Sequence, residues 1–211
     1  MRIFSVLSVM FISVLGCAVL NQPTFEIDSS RLTSQTNPEF VDGNVDTIST
    51  FEVKGHIEKS YKNIPVAGRT RGERQRIYLT QGQGYRRTEA VIKLDVPTYI
   101  SYIEIYPASR IPNLSVTSTM EDPPRFKSSF VMAQGKQHVN VEGKLPVRFE
   151  INREILYLRL SADAIEDKQS AVREKRDRNV KKDKNTKINR DERIQIPLKG
   201  ASIREVKFYA R

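Results

Sequence analysis

Ala90-Val91-Ile92-Lys93-Leu94-Asp95-Val96 and, after Pro97, Tyr99-Ile100-Ser101-Tyr102-Ile103-Glu104-Ile105-Tyr106 alternate apolar and polar side chains with a period of two. That period belongs to a β-strand with one buried face, because successive side chains point to opposite sides of a sheet. Pro97 and Pro107 punctuate the two runs, as residues without a backbone N–H do at strand ends. Outward from this stretch the pattern recurs at Asn113 to Thr119, Ser129 to Ala133, Gln137 to Val141, Val147 to Ile151, Ile155 to Ser161 and Ile203 to Tyr209. Short strands at intervals of roughly 8–12 residues, without amphipathic helices between them, predict an all-β antiparallel sandwich. The lack of strand–helix alternation excludes doubly wound and TIM-barrel architectures.

A chain of 211 residues holds one ordinary domain with appendages. Cys17 is the only cysteine and cannot form an internal disulfide; His56 and His138 are the only imidazoles. This argues against a zinc enzyme built on several His or Cys ligands. Neither histidine stands in a setting that suggests a nucleophilic triad, and Glu121-Asp122 adjoins Pro123-Pro124, which reads as a turn. The expectation is a protein that is not an enzyme. Lys and Arg exceed Asp and Glu by 35 to 25, a formal charge of +10 that favours anionic partners.

Residues 1–16, MRIFSVLSVMFISVLG, place one basic residue before an apolar run that ends in a small residue, the pattern of a secretory signal peptide. The run is too short to span about 30 Å of hydrocarbon comfortably. Residues 17–36 are rich in Asn, Gln, Ser and Thr and are expected to form a polar tether, leaving 37–211 for the sandwich. From Asp163 to Arg193 basic and acidic side chains intermix with scarcely an apolar one, so 163–193 is expected to be a solvated insertion. It would be disordered, or transiently helical around Ala171 to Asp177.

Two resemblances follow from particular residues. Val14-Leu15-Gly16-Cys17 resembles the bacterial lipobox, in which a Cys receives a diacylglycerol thioether and, after cleavage, an acyl chain. The alternative is an ordinary signal peptide with an incidental Cys. The chain also resembles the discoidin, or coagulation factor 5/8 type C, domain of the galactose-binding-like superfamily. Asp42-Gly43 with Thr47 fits that family's first loop, and Glu205 fits the acid before its last strand. Leu94-Asp95, Ile111 to Thr119 and Leu156-Tyr157-Leu158-Arg159-Leu160 fit strands between them. The family's usual Trp after the loop is Ser49 here, and Phe51 is the candidate to fill its volume.

This resemblance implies a jelly-roll sandwich and a structural Ca2+ held by Asp42, Asn44, Thr47 and Glu205. An equally available reading of Asp42-Gly43-Asn44 is a plain Asx-turn. It further implies ligand recognition by loop residues, with Tyr61, Tyr78, Tyr85, His56, Arg69, Arg71, Arg86 and Arg87 as candidates. The basic run from Arg69 to Arg76 would suit nucleic acid, but export makes nucleic acid an unexpected partner. The reading is of a lipid-anchored protein of the bacterial cell envelope, on the outer membrane where there are two, that binds carbohydrate without catalysis. The alternative is a structural lipoprotein that docks another envelope protein through its loops and charged insertion. Replacing Cys17 by Ala is expected to move the chain from the membrane to the soluble fraction; continued membrane association of that variant would exclude a thioether anchor.

Overall fold

The computed structural model describes residues 23–65, 74–82, 87–125, 129–140, 145–177 and 190–211, so Cys17 and the leader lie outside the described residues. In chain order the strands are β1 (Phe25–Glu26), β2 (Leu32–Ser34), β3 (Ser49–Thr50), β4 (His56–Pro65), β5 (Arg74–Gly82), β6 (Arg87–Pro107) and β7 (Ile111–Thr119). They continue as β8 (Val131–Val139), β9 (Val147–Asp163), β10 (Ile165–Glu166), β11 (Val172–Asp177), β12 (Arg190–Lys199) and β13 (Ser202–Ala210). Every strand pairing is antiparallel, as the period-two pattern requires.

The main sheet has the order β1-β13-β6-β9-β7-β8, with β2 also on β6 and β3 on β13. Its two long strands, β6 and β9, each turn a corner. Their pairing runs from Arg87–Asp163 to Lys93–Tyr157, breaks, and resumes at Thr98–Ile155. The break on β6 spans Leu94 to Pro97, between the two alternating runs, and faces Leu156 on β9; a second irregularity, between Ile100–Arg153 and Tyr102–Glu150, holds Asn152, whose φ of 48° is tolerated by Asn better than by branched residues. Ala90, Ile92 and Leu94 before the corner and Ile100, Ile103 and Ile105 after it join one buried cluster, together with Leu158, Leu160, Phe149, Val206 and Phe208. The sheet therefore closes over itself as a sandwich with one core. At about 25 cal/mol per Å2, burying a large apolar side chain contributes roughly 1.5–3 kcal/mol.

Residues 23–36 differ from the expected tether. Ile27 and Leu32 are only 4% and 6% exposed, the Ile27 N–H donates to the Phe208 carbonyl at 2.8 Å, and β2 pairs with β6 in the register Thr33–Lys93. Ile27 and Leu32 are core residues, although Phe25 is exposed, so the domain begins before residue 37. Phe51 is buried and meets Phe40 edge-on with ring centres 5.2 Å apart, which is consistent with its filling the volume left by the missing Trp.

The charged segment is also corrected. Val172–Asp177, expected to be transiently helical, is β11, and it joins β12, β4 and β5 in a second, five-stranded sheet that includes β10. The register sets Lys175 opposite Glu192, Arg176 opposite Asp191 and Asp177 opposite Arg190. Arg193 also pairs with Glu58, and Lys59 with Glu166 at 3.5 Å. A small satellite core of Ile57, Ile194, Ile196 and Leu198 lies beneath. Residues 178–189 are outside the described residues.

Between β12 and β13, Gly200 lies so close to Phe51 that a Cβ there would meet the Phe51 carbonyl oxygen at 2.0 Å. Backbone cannot give way as a side-chain tip can. Gly200→Ala is expected to destabilise the domain by about 1–3 kcal/mol, as overpacking of a core does, read as a lowered Tm; an unchanged Tm would show that β12 and β13 shift freely.

Candidate functional site

The loop that the discoidin resemblance singles out begins where the turn Pro38–Val41 buries Phe40 and Val41. Asp42 accepts a hydrogen bond on Oδ1 from the Asn44 N–H at 2.8 Å, Asn44 accepts on Oδ1 from the Asp46 N–H at 3.0 Å, and the Thr47 N–H donates to the Asn44 carbonyl at 3.2 Å. The first two are the bonds of successive Asx-turns, and the third closes a main-chain β-turn. Gly43 has φ of 79°, and a Cβ on it would sit 2.9 Å from the Ser29 hydroxyl oxygen, so the loop needs glycine there.

Glu205 stands on β13 beneath this loop. It is 2% exposed, and its Oε2 has no hydrogen-bond partner among the described protein groups. Burial, followed by the hydrogen bond and negative charge of Asp42, pushes its carboxyl up to about 8, against a smaller lowering by the Gly43 amide. Two acceptor-only carboxylates so placed need a shared proton or a cation between them. Asp42 and Glu205 suit a cation in that respect, whereas the Asn44 side-chain oxygen is already engaged by the Asp46 amide. Among the described residues no set of three or more His, Cys, Asp or Glu is gathered that could hold a metal ion.

The expected ligand residues are dispersed. Tyr61 and Tyr78 stand opposite each other on β4 and β5, beside a register shift, and His56 is exposed at the start of β4. Arg87 begins β6 in the other sheet, where its guanidinium donates to the hydroxyls of Ser161 at 2.6 Å and Ser115 at 2.9 Å. Arg69, Arg71, Tyr85 and Arg86 lie outside the described residues.

A groove stands elsewhere, on the outer face of the main sheet. Because Ile92, Leu94, Leu158 and Leu160 face the core, their neighbours Val91, Lys93, Tyr157 and Arg159 face out. Register pairs Lys93 with Tyr157 and Val91 with Arg159, which makes them adjacent on that face. Pro123, Pro124 and Phe130, from the connection between β7 and β8, wall a cavity of about 480 Å3 above them, and Thr33, Gln35 and Thr36 rim its other side. The Tyr157 hydroxyl donates to Asp122 at 2.6 Å, and the Lys93 ammonium donates to the same carboxylate at 3.2 Å. Those two bonds, the tyrosine's first, hold Asp122 below the ordinary carboxylate range. The Lys93 ammonium lies 5.2 Å from the Tyr157 ring centre, and the Arg159 guanidinium 4.4 Å from that of Phe130. Such a groove offers apolar ring surface, hydroxyl and amide groups, and two cations.

In the sequence Tyr157 and Arg159 stand out only as part of a strand. The signal was present: in Leu156-Tyr157-Leu158-Arg159-Leu160 a period of two sends both to the side away from the leucines at 158 and 160. What the strand pattern could not show is that the Pro-rich connection folds back over them.

Neither a family model nor a curated protein sequence matches the chain. Among solved structures it is similar to CBM32-3 from a family 31 glycoside hydrolase of Clostridium perfringens, at 15% identity and a TM-score of 0.48, covering 89% of this chain and 96% of that one. It is similar to the C-terminal domain of a chitobiase from Bacteroides fragilis, at 11% identity and a TM-score of 0.47, covering 89% and 98%. A third is the CBM32 of AlyQ in complex with 4,5-unsaturated mannuronic acid, at 9% identity and a TM-score of 0.45, covering 87% and 97%.

The Glu205 titration has a consequence for stability. A carboxyl raised in the fold binds its proton more tightly there than in the unfolded chain, so its stabilising contribution is present below pH 4.5 and is lost as pH rises through about 8. In buffer with a metal chelator, Tm is expected to fall between pH 5.5 and 8.5, a window above the titration of the carboxyls that Arg31, Lys93 and nearby hydroxyls hold low. Glu205→Gln is expected to flatten that slope; an equal slope in the variant would place the titration elsewhere.

Proposed function

We propose that this chain is an exported, lipid-anchored protein of the bacterial envelope whose sandwich binds carbohydrate without catalysis. The groove on the outer sheet face carries the reading. Sugar rings present an apolar C–H face and a rim of hydroxyls, and the groove opposes them with the Tyr157 and Phe130 rings and a border of Thr33, Gln35 and Thr36. The discoidin resemblance of the Asp42–Thr47 loop and Glu205 supports the same class of function. The lipobox-like Val14 to Cys17 supports anchoring through diacylglycerol and an acyl chain on Cys17, in the outer membrane where the cell has two.

A structural Ca2+ belongs to this proposal. Asp42 and Glu205 would hold it, with Asn44 and Thr47 in the loop around them, and the unpartnered Oε2 of Glu205 beside a second carboxylate favours it. When bound, the ion would replace the shared proton and tie the 42–47 loop to β13. Its signature in the chelator melts described above is a Tm gain on adding calcium that grows toward pH 8.5 and is absent from Glu205→Gln.

The test of glycan binding is affinity electrophoresis of the full chain in gels that contain soluble polysaccharides, neutral and acidic. Retardation by at least one of them is expected, and Phe130→Ala, which removes a half-exposed ring from the groove wall, should weaken it by about tenfold, the worth of roughly 1.4 kcal/mol of stacking. Retardation indifferent to Phe130 would move the site elsewhere, and none at all would end the reading.

A further inference from the structure

We infer that the corner end of the sandwich, where Phe25, Val96, Pro97 and Tyr99 are exposed, lies against the lipid surface to which the chain is anchored. This rests on the lipid-anchored reading and adds to it the side of the domain that meets the membrane. The register gathers the patch. Phe25 stands opposite Ala210 near the end of β13, Ala210 stands opposite Ile100 on β6, and the Arg211 N–H donates to the Tyr99 carbonyl at 3.4 Å. Val96 and Pro97 precede Tyr99 in the corner of the same strand. Phe25, Val96 and Tyr99 are 54%, 49% and 38% exposed, so three large apolar side chains face water at one end of the fold.

The length of chain leading to Cys17 selects a bilayer as the occupant. Eight peptide steps separate Cys17 from Phe25, and at no more than about 3.6 Å each they reach at most about 29 Å. Along β6 from Tyr99 to Pro107 the sheet rises about 26 Å, at roughly 3.3 Å per residue. Placing the opposite end on the lipid would draw those eight steps almost straight, whereas the corner end meets it with chain to spare. Leu145, before β9 at that opposite end, is 66% exposed, more than any residue of the patch. Exposure alone therefore does not mark the contact; nearness to the anchor does.

The patch also has the chemistry of the headgroup boundary. Phe25, Val96 and Pro97 are apolar, while the Tyr99 hydroxyl and the Arg211 guanidinium, 5.8 Å from the Tyr99 ring centre, suit the polar layer above the acyl chains. The surrounding charges balance: Arg31 pairs with Asp95 at 3.0 Å, Lys207 pairs with Glu26 at 2.9 Å, and the exposed Glu154, opposite Tyr99 in the register, offsets Arg211. Such a contact draws on apolar surface and not on net charge, so salt should not release it.

The chain has no Trp, so one substitution at a time places a single fluorescent reporter. The full lipidated chain carrying Phe25→Trp, Tyr99→Trp or Leu145→Trp is reconstituted into phosphatidylcholine vesicles with and without brominated acyl chains. The first two variants are expected to lose about half of their indole fluorescence or more to bromine, as rings seated roughly 5–10 Å into the boundary do, and the third to lose none. Quenching should persist in about 1 M salt; its loss there would overturn the apolar contact. Equal quenching of Leu145→Trp, or none of the other two in protein that floats with the vesicles, would overturn the orientation and leave the anchor standing. A blue-shifted Phe25→Trp emission that bromine does not quench would give the patch to a protein surface and overturn the lipid contact. A chain that does not float with the vesicles at all would overturn the anchor and this inference with it.

Discussion

The pairing of β6 with β9 through a shared corner is the constraint on which the other features depend. A strand with a period of two has one core face for as long as it runs straight, and a slip by one residue would exchange the faces. Here both strands interrupt their pairing at the same place, between Lys93–Tyr157 and Thr98–Ile155, and resume with Ile100, Ile103 and Ile105 again on the core side. The sheet bends without turning inside out. Asp95 fastens the bend: its carboxylate accepts two hydrogen bonds from the Arg31 guanidinium at 3.0 Å and one from the Val96 N–H at 2.8 Å. Those bonds also bring the N-terminal segment, with β2, against the edge of β6.

The groove is a product of the same corner. Before the corner, the outward residues of β6 and β9 are Val91, Lys93, Tyr157 and Arg159; beyond it, they include Tyr102 and Glu104. The two outer faces have different fates. On the far face, Tyr102 stacks on Tyr209 with ring centres 4.5 Å apart, Arg148 lies 3.5 Å over Tyr102, and Tyr209 donates to Glu104 at 3.1 Å. Its rings and charges satisfy one another. On the near face the connection after β7 stands off the sheet on Pro123 and Pro124, and a cavity remains between. Aromatic and cationic residues on a sheet exterior are therefore not sufficient for a site; a wall that keeps them from closing on one another is also required.

This difference explains what was legible. The alternation at Ala90–Tyr106 and Ile155–Ser161 carried the fold, whereas Asp42 of the loop and Glu205 of β13 could be named only through the discoidin resemblance, because nothing in either stretch alone says that the two meet. The strands β4 and β12 were not legible because long-range charge pairing, such as Glu58 with Arg193 at a separation of 135 residues, stands where apolar alternation would mark a strand. A segment whose charges find partners only after folding has the composition of a disordered one. The expected ligand residues were sought as loop residues, yet His56, Tyr61, Tyr78 and Arg87 stand on strands, and the groove too is floored by strands, whose other face supplies core.

Glu205 and Tyr157 show two ways in which this fold handles a polar group that the sheet makes it bury. Tyr157, 9% exposed, places its hydroxyl on Asp122, whose charge is also met by Lys93, so the group is satisfied within the protein and its ring is left to face the groove. Glu205 meets the Gly43 amide, the more distant charge of Lys207 and another acid, and one of its oxygens stays without a hydrogen-bond partner among the described groups. An unsatisfied buried carboxylate costs stability unless something absent from the chain itself, a proton or a cation, completes it. The first arrangement keeps a binding surface rigid without outside help, and the second makes the junction of the 42–47 loop with β13 depend on the solution around it. The groove and the junction lie on different parts of the surface, but both rest on β2, the strand whose Thr33 rims the groove and whose Leu32 lines the cavity above Glu205.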